Sequence, residues 1–365
     1  MSTNTEQLIA WLRLSRLELA PRKALALADA FDDPRNIFTA KMTDLATISG
    51  LGQLAIGKVL NSNPDAANKD IELLEKSGIS VLTIKDEDYP ANLKQIYDPP
   101  VVMYVRGELK ESDRFAIAIV GSRTASEYGR TMAHRIASEV ASRGLTIVSG
   151  GARGIDTFAH RGALSTGGRT VAVLGCGVDV AYPYENKSLF AEVAQRGAVI
   201  AESPLGSKPD PWRFPARNRV ISGLSRGVLV VEGREDSGSL ITANFAAEHG
   251  RDVFALPGGV DKEASRAPHK LIKEGARLVE SAQDILEELG IEVEPGARAQ
   301  LGLPIEGLTP AERKMVELVD LQPKHVDEII RDCGLPSSEV SSMLTLLEMR
   351  GFVRRVPGNA YVRAI

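Results

Sequence analysis

Phe115-Ala116-Ile117-Ala118-Ile119-Val120-Gly121-Ser122-Arg123 is a short apolar run that ends in a glycine, a hydroxyl and a cation. A run of this length without polar alternation reads as a strand buried on both faces. Five comparable runs follow: Leu145–Val148, Thr170–Leu174, Ala198–Ala201, Val228–Val231 and Val253–Leu256. Stretches with helical spacing separate them, at about 127–142, 155–166, 186–196, 217–224 and 239–249. Alternation of this kind specifies an α/β fold with a Rossmann-like parallel sheet between helical layers. Its ligands are expected beyond the carboxyl ends of the strands.

The flanks read differently. Residues 1–62 carry helical apolar faces, such as Leu8, Ile9, Trp11, Leu12 and Leu14, and a Gly50-Leu51-Gly52 turn between two helical pieces. This is a helical domain of SAM or helix-hairpin-helix type. Such a turn can aim N–H groups at a phosphate, but Lys58 is the one cation near it, which favours a structural role. Residues 63–291 form the sheet domain with a connector at its start, in which Ile79–Ile84 and Val101–Val105 read as strands. Residues 292–307, rich in Pro, Gly and Ala, read as a linker. From 308 to 365, Thr309-Pro310-Ala311-Glu312 opens the first of three helices, and a hairpin turns at Pro357-Gly358-Asn359. Three helices and a hairpin match a winged helix. Its third helix carries Glu339 and Glu348 and only Arg350, a poor set for reading base edges; Arg354, Arg355 and Arg363 on the hairpin can reach a backbone.

Composition narrows the classes. The chain is 43% hydrophobic and 25% charged over 365 residues, ordinary for a soluble protein. No apolar run spans a bilayer, the first residues lack a signal-peptide pattern, and Cys176 and Cys333 are too few for a disulfide framework. A cytoplasmic protein is expected. The net charge of −4 hides a contrast: residues 115–230 hold 14 Lys and Arg against 8 Asp and Glu, whereas the remainder holds 30 against 40. A basic centre in an acidic protein focuses its field on an anion.

The strand-to-helix loops show where that anion sits. Gly121-Ser122-Arg123 and Ser149-Gly150-Gly151-Ala152-Arg153-Gly154 each join a glycine turn to a cation at a helix start. Turns need glycine in any case; the arginines are what point to an anion. Gly175-Cys176-Gly177 begins a third loop that lacks the last glycine of a dinucleotide fingerprint, and the P-loop pattern is absent. Arg213-Phe214-Pro215-Ala216-Arg217-Asn218-Arg219 supplies further cations beside Trp212 and Phe214, on which the bases of a single strand can stack. Arg217 and Asn218 are adjacent on a helix and cannot face one way, so some of these side chains pair internally. Gly223-Leu224-Ser225-Arg226-Gly227 matches G-x-S-x-G but precedes a strand, the reverse of a hydrolase elbow. His160 reads as a helix–sheet packing residue. No metal-ligand spacing occurs, and no cofactor is expected.

In this order the motifs resemble the DNA-processing protein A family, also called Smf. The match runs from Ile119-Val120-Gly121-Ser122-Arg123 through Ser149–Asp156 with Ala159-His160, Val171–Gly175 with Tyr182-Pro183 and Asn186, and Phe214–Arg219 to Ser237–Ala243. The resemblance implies a non-enzymatic protein that binds single-stranded DNA, with duplex bound more weakly. It also implies protection of incoming DNA during transformation, loading of the RecA recombinase and action as a homodimer. It places the DNA site at Gly121, Ser122, Arg123, Arg153, Gly154, Phe214, Arg217, Asn218 and Arg219. Two departures stand out: Gly151 replaces a usual leucine, and Ala267-Pro268-His269-Lys270 stands where the family shows Gly-x-Asn, with Lys270 a substitute phosphate contact.

Two other classes stay open at this level. A phosphoribohydrolase-like enzyme shares Pro257-Gly258-Gly259, but Val260-Asp261-Lys262 stands in place of its Gly-Thr and catalytic Glu. A transcription regulator would use the winged helix on duplex DNA.

Overall fold

The computed structural model describes residues 5–291, 308–319 and 323–363. The linker expected at 292–307 lies outside them. Five helices come first: α1 (Thr5–Arg16), α2 (Pro21–Ala30), α3 (Met42–Ala46), α4 (Gly52–Leu60) and α5 (Asp65–Ser77). Trp11, Leu12, Leu14, Leu27 and Leu45 close over one core, which is continuous with that of the sheet. Buried Asp70 of α5 accepts from Nε and Nη2 of Arg16 on α1. Lys58 donates to the Leu17 carbonyl at 2.9 Å and is used as a brace, while the Lys23 ammonium, which the sequence reading did not bring to this turn, lies beside Gly52.

The connector supplies β1 (Ile79–Thr83), the short helix α6 (Ala91–Lys94) and β2 (Val102–Gly107). The alternating core is β3 (Ala116–Val120), α7 (Glu127–Ser142), β4 (Thr146–Ser149), α8 (Ile155–Ser165), β5 (Thr170–Leu174), α9 (Lys187–Arg196), β6 (Ala198–Ala201), α10 (Arg213–Leu224), β7 (Gly227–Val230), α11 (Gly238–Glu248) and β8 (Asp252–Ala255). Then follow α12 (Arg266–Lys273), β9 (Arg277–Leu278) and α13 (Ala282–Glu288). All nine strands join one sheet in the order β1-β2-β6-β5-β4-β3-β7-β8-β9. From β6 to β9 neighbours are parallel, while β1 and β2 add an antiparallel edge. Strands β3, β4, β5, β6 and β7 are buried along their whole length, as continuous apolar runs demand.

Most boundaries shift by a residue from the sequence reading, and two of the differences bear on the site's surroundings. Phe115 ends a 3-10 turn instead of starting β3, and stays 38% exposed. Helix α10 starts at Arg213, four residues before the apolar periodicity becomes visible. The Arg213 N–H bonds to the Asp210 carbonyl, and Pro215 falls in the first turn, where no N–H is required.

At the other end, α14 (Pro310–Leu318), β10 (Lys324–His325), α15 (Val326–Cys333), α16 (Ser337–Met349), β11 (Val353–Val356) and β12 (Ala360–Arg363) form the winged helix. Thr309 caps α14 through the Glu312 N–H, and Glu312 returns the bond to the Thr309 N–H. The core of this domain, around Met315, Ile329, Leu344 and Phe352, is its own. Ile117, fully buried in β3, belongs to a different cluster. Ile117→Ala should therefore lower the stability of the sheet domain by ~2–5 kcal/mol. In urea unfolding the winged-helix transition should stay where it is.

Candidate nucleic-acid interface

The site forms where the loops after β3, β4 and β5 meet α10, which packs against β3, β4 and β5. The first two loops are fastened together. The Ile155 N–H donates to the Ser122 carbonyl at 3.1 Å, and the Ser122 N–H donates to the Glu232 carbonyl at 2.8 Å. Gly154 takes φ +73, and a Cβ there would meet the Ser122 carbonyl oxygen at 2.2 Å. Glycine at 154 is thus required twice over, by backbone sign and by contact with the neighbouring loop. Gly151, where the family usually has leucine, also lies in the left-handed region, at φ +64.

Arg123 is exposed at the tip of the first loop. Its guanidinium lies 5.2 Å from the Phe214 ring centroid, and no carboxylate pairs with it among the described residues. The Phe214 ring in turn lies 5.6 Å from Tyr182, giving an aromatic pair with a cation above it. Arg153 is exposed on the second loop and bound to Glu185 at 2.5 Å, both side chains well solvated. Arg213 joins Glu18 of the helical domain at 2.5 Å and Ser203 at 2.9 Å.

The remaining members of the expected set divide. Arg217 is 8% exposed and lies behind the loops, with Nη1 donating to the Val173 carbonyl at 2.5 Å. Burial lowers its pKa to about 10, against the opposing pull of Asp156. Asp156 is raised by the same burial, which the Arg217 charge partly offsets, and it accepts the Ala152 N–H inside the second loop. Arg217 therefore supports the loop from behind. Arg219 does not belong to the surface: it is 2% exposed, held between Asp98 at 3.2 Å and Glu202 at 2.7 Å. Asn218 faces α11, donating to the Gly238 carbonyl at 3.3 Å. Lys270 is exposed on α12, which packs on β8, on the opposite side of β3 from β4 and β5. Among the described residues no hydrogen bond or ion pair joins it to the loops, so Gly121, Ser122, Arg123, Arg153, Gly154 and Phe214 converge without it.

Sequence reasoning did not single out Glu232. It is buried just beyond β7, and its carboxylate accepts the Ser126 N–H at 2.9 Å and the Ser126 hydroxyl at 2.5 Å. Strands β3 and β7 flank the point where the strand order reverses, the usual phosphate position in such folds. Here the start of α7 is capped from within, so the Arg123 side chain, not that helix terminus, is what the first loop offers an anion. Tyr182 was legible as a motif residue but not as a partner of Phe214. Cys176 is buried, its thiol pushed up to about 11, which makes it a poor nucleophile. His160 is fully buried, with Nδ1 2.7 Å from the Thr170 hydroxyl. Ser225 of the G-x-S-x-G match is buried too and donates to the Ile221 carbonyl.

In the winged helix, Arg363 donates to the Val316, Glu317 and Val319 carbonyls and Arg354 pairs with Glu127 of α7. The α16 hydroxyls of Ser342 and Thr345 turn back to carbonyls four residues earlier, beside exposed Leu346 and Met349. Helix α16 offers hydroxyls and Glu339 but carries no Arg, Lys, Asn or Gln, the usual base readers.

Residues 80–290 match the family described as DNA recombination-mediator protein A, and residues 299–359 match the DprA winged helix domain. The chain belongs to the DprA/Smf family. Protein Smf of Synechocystis is 35% identical across 99% of both chains. DNA processing protein DprA of Streptococcus pneumoniae is 43% identical over 67% of this chain and 86% of its own. The X-ray structure of the pneumococcal protein superposes with a TM-score of 0.67 at 38% identity, covering 76% of this chain and 95% of that one. A Helicobacter pylori structure, described in terms of its single-stranded DNA binding mode, gives 0.53 at 30% identity, covering 59% and 97%. No described helix of this DprA/Smf member is long and apolar enough to cross a membrane.

Burial depresses the His160 pKa from the ordinary 6.5 to about 3. Below pH ~6.5 the unfolded chain binds a proton that folded His160 refuses, so stability is lost as the pH falls through that window, by at most ~1.4 kcal/mol per pH unit from this residue. Urea unfolding between about pH 4 and 7 should show a shallower pH dependence in His160→Gln than in the parent.

Proposed function

We propose that this DprA/Smf member is a non-enzymatic binder of single-stranded DNA that acts in transformation and recombination. The observation that carries the reading is Arg123, an exposed and uncommitted cation stacked over Phe214 beside the joined glycine loops. A cation next to an aromatic face serves one phosphate and one base at a time, the repeat unit of a single strand. The Helicobacter pylori relative's described binding mode supports the same ligand. Protection of the strand, RecA loading and homodimer formation are what the family resemblance implies, and they belong to this proposal.

A nucleotide-cleaving activity is disfavoured by the site's chemistry. Asp156 is committed to the second loop and Arg217, Glu232 to the start of α7, and Glu185 to Arg153. None of these carboxylates is free to act as a base at the loop mouth.

Arg123→Ala and Phe214→Ala should leave the far-ultraviolet circular dichroism spectrum intact and weaken oligothymidylate binding in fluorescence anisotropy. Phe214→Ala should lose ~1–3 kcal/mol. Arg123→Ala should reduce the slope of log K against log salt by ~0.7. Arg219→Ala should behave differently, destabilising the fold by ~2–3 kcal/mol, less than for a fully buried pair because Asp98 and Glu202 stay partly solvated. Unchanged DNA binding in folded Arg123→Ala and Phe214→Ala proteins would remove the proposed interface. Release of free base from nucleoside monophosphates would overturn the non-enzymatic reading.

A further inference from the structure

The two joined loops continue into helices that lie against each other. Gly154, at the start of α8, faces the backbone of Ser122 and Arg123. Further on, a Cβ at Gly162 would meet the His134 carbonyl oxygen at 2.3 Å, and the Ser138 hydroxyl donates to the Gly162 carbonyl at 2.9 Å. Backbones this close leave no space between them for long side chains, which are carried on the outside of the α7–α8 seam. Phe158 comes four residues after Gly154 and Arg161 three after Phe158, on one face of α8. The helical rise puts Arg161 ~10 Å from the loop junction.

Phe158 is half-buried and has two guanidiniums beside its ring, Arg130 of α7 at 5.8 Å and Arg161 at 5.7 Å from the centroid. Arg161 is exposed, and no hydrogen bond or ion pair joins its side chain to another described residue. Arg130 pairs with Glu127 at 2.9 Å, and Glu127 also takes Arg354 of the wing. Three guanidiniums thus share one carboxylate. The surplus is felt by His134, on the same face of α7: burial first, and then the Arg161 charge, hold its pKa below the ordinary 6.5. Unbalanced guanidiniums around an aromatic ring suit a phosphate and a base together. The wing leaves this surface open, since the Arg130 side chain stays 39% exposed and that of Arg354 48%.

We propose that the α7–α8 seam is a second contact for single-stranded DNA, the path on which a strand held at Arg123 and Phe214 continues. Its phosphates meet Arg161 and Arg130, and a base lies against the Phe158 ring. A duplex, whose bases are already stacked, has none to offer that ring, so the unpaired strand is the occupant. The inference rests on the DNA reading above and adds to it a direction: the strand leaves the loops along α8, toward the side of α7 on which the wing sits.

The test follows, by fluorescence anisotropy on the full chain, labelled oligothymidylates of about 5 and about 20 nucleotides. The parent should bind the longer one more tightly. Phe158→Ala should weaken binding of the longer strand about tenfold, and Arg161→Ala should lower the slope of its log K against log salt by ~0.7. Neither should change binding of the shorter strand. Arg161 is exposed, so its variant carries the test if Phe158→Ala fails to fold. Arg196, exposed at the end of α9, controls for net charge, and Arg196→Ala should match the parent. The path is overturned, with the loop site left standing, by a parent that gains nothing from length, by an unchanged salt slope in Arg161→Ala or by full affinity for the longer strand in folded Phe158→Ala. Equal losses at both lengths, or an Arg196→Ala loss as large as that of Arg161→Ala, overturn it too. Failure of the parent to bind either strand overturns the path and the DNA reading together.

Discussion

A guanidinium that is 2% exposed has to find its acceptors inside the protein, and Arg219 finds Asp98 for its Nε and Glu202 for its Nη2. Asp98 belongs to the connector ahead of β2, and Glu202 to the end of β6. One side chain thereby ties α10 to the connector and to the sheet. Breaking such a buried pair leaves uncompensated charge, so α10 has little freedom to roll. Everything the helix presents elsewhere inherits that rigidity: Phe214 toward Arg123, Arg217 behind the second loop, and Arg213 toward the helical domain. The glycine–arginine loops are thus fixed from below by cations that are themselves largely buried.

The strands were legible because a parallel sheet covered on both faces needs continuous apolar runs, and these runs were present without competition from alternating patterns. The glycine–arginine loops were legible for a related reason: turns explain glycine but not a repeated arginine. What was hidden was the division of labour among Arg213, Arg217, Asn218 and Arg219. Adjacent residues on a helix point to different sides, but which side meets solvent depends on where Asp98, Asp156, Glu18 and Gly238 arrive in space. Charge alone gave the three arginines the same weight. Burial separates them, moving Arg219 into the core and Arg217 behind the loops, while Arg123 stays exposed with no carboxylate partner among the described residues.

Lys270 and Glu232 show the same limit from opposite directions. Lys270 looked like a replacement contact because it stands where the family has a polar loop, yet its helix packs on β8. Glu232 carried no motif, although an acid directly after a buried strand and before a glycine is an unusual place for a charge. Its role depends on Ser126, more than a hundred residues earlier. The hairpin arginines of the winged helix divide too, with Arg363 on the carbonyls at the end of α14 and Arg354 on Glu127.

The carboxylate of Glu232 also bears on life among soluble metabolites. A strand-binding protein with an open phosphate cradle at the switch of its sheet would be titrated by every free nucleotide in its surroundings. A tethered acid competes at an effective concentration that reaches the millimolar range or above, and it is always in register with Ser126. Filling that cradle from within makes the fold indifferent to single phosphates there. Under the proposed reading, affinity is then gathered from several weak contacts along a chain, and length of polymer is what such a surface would register.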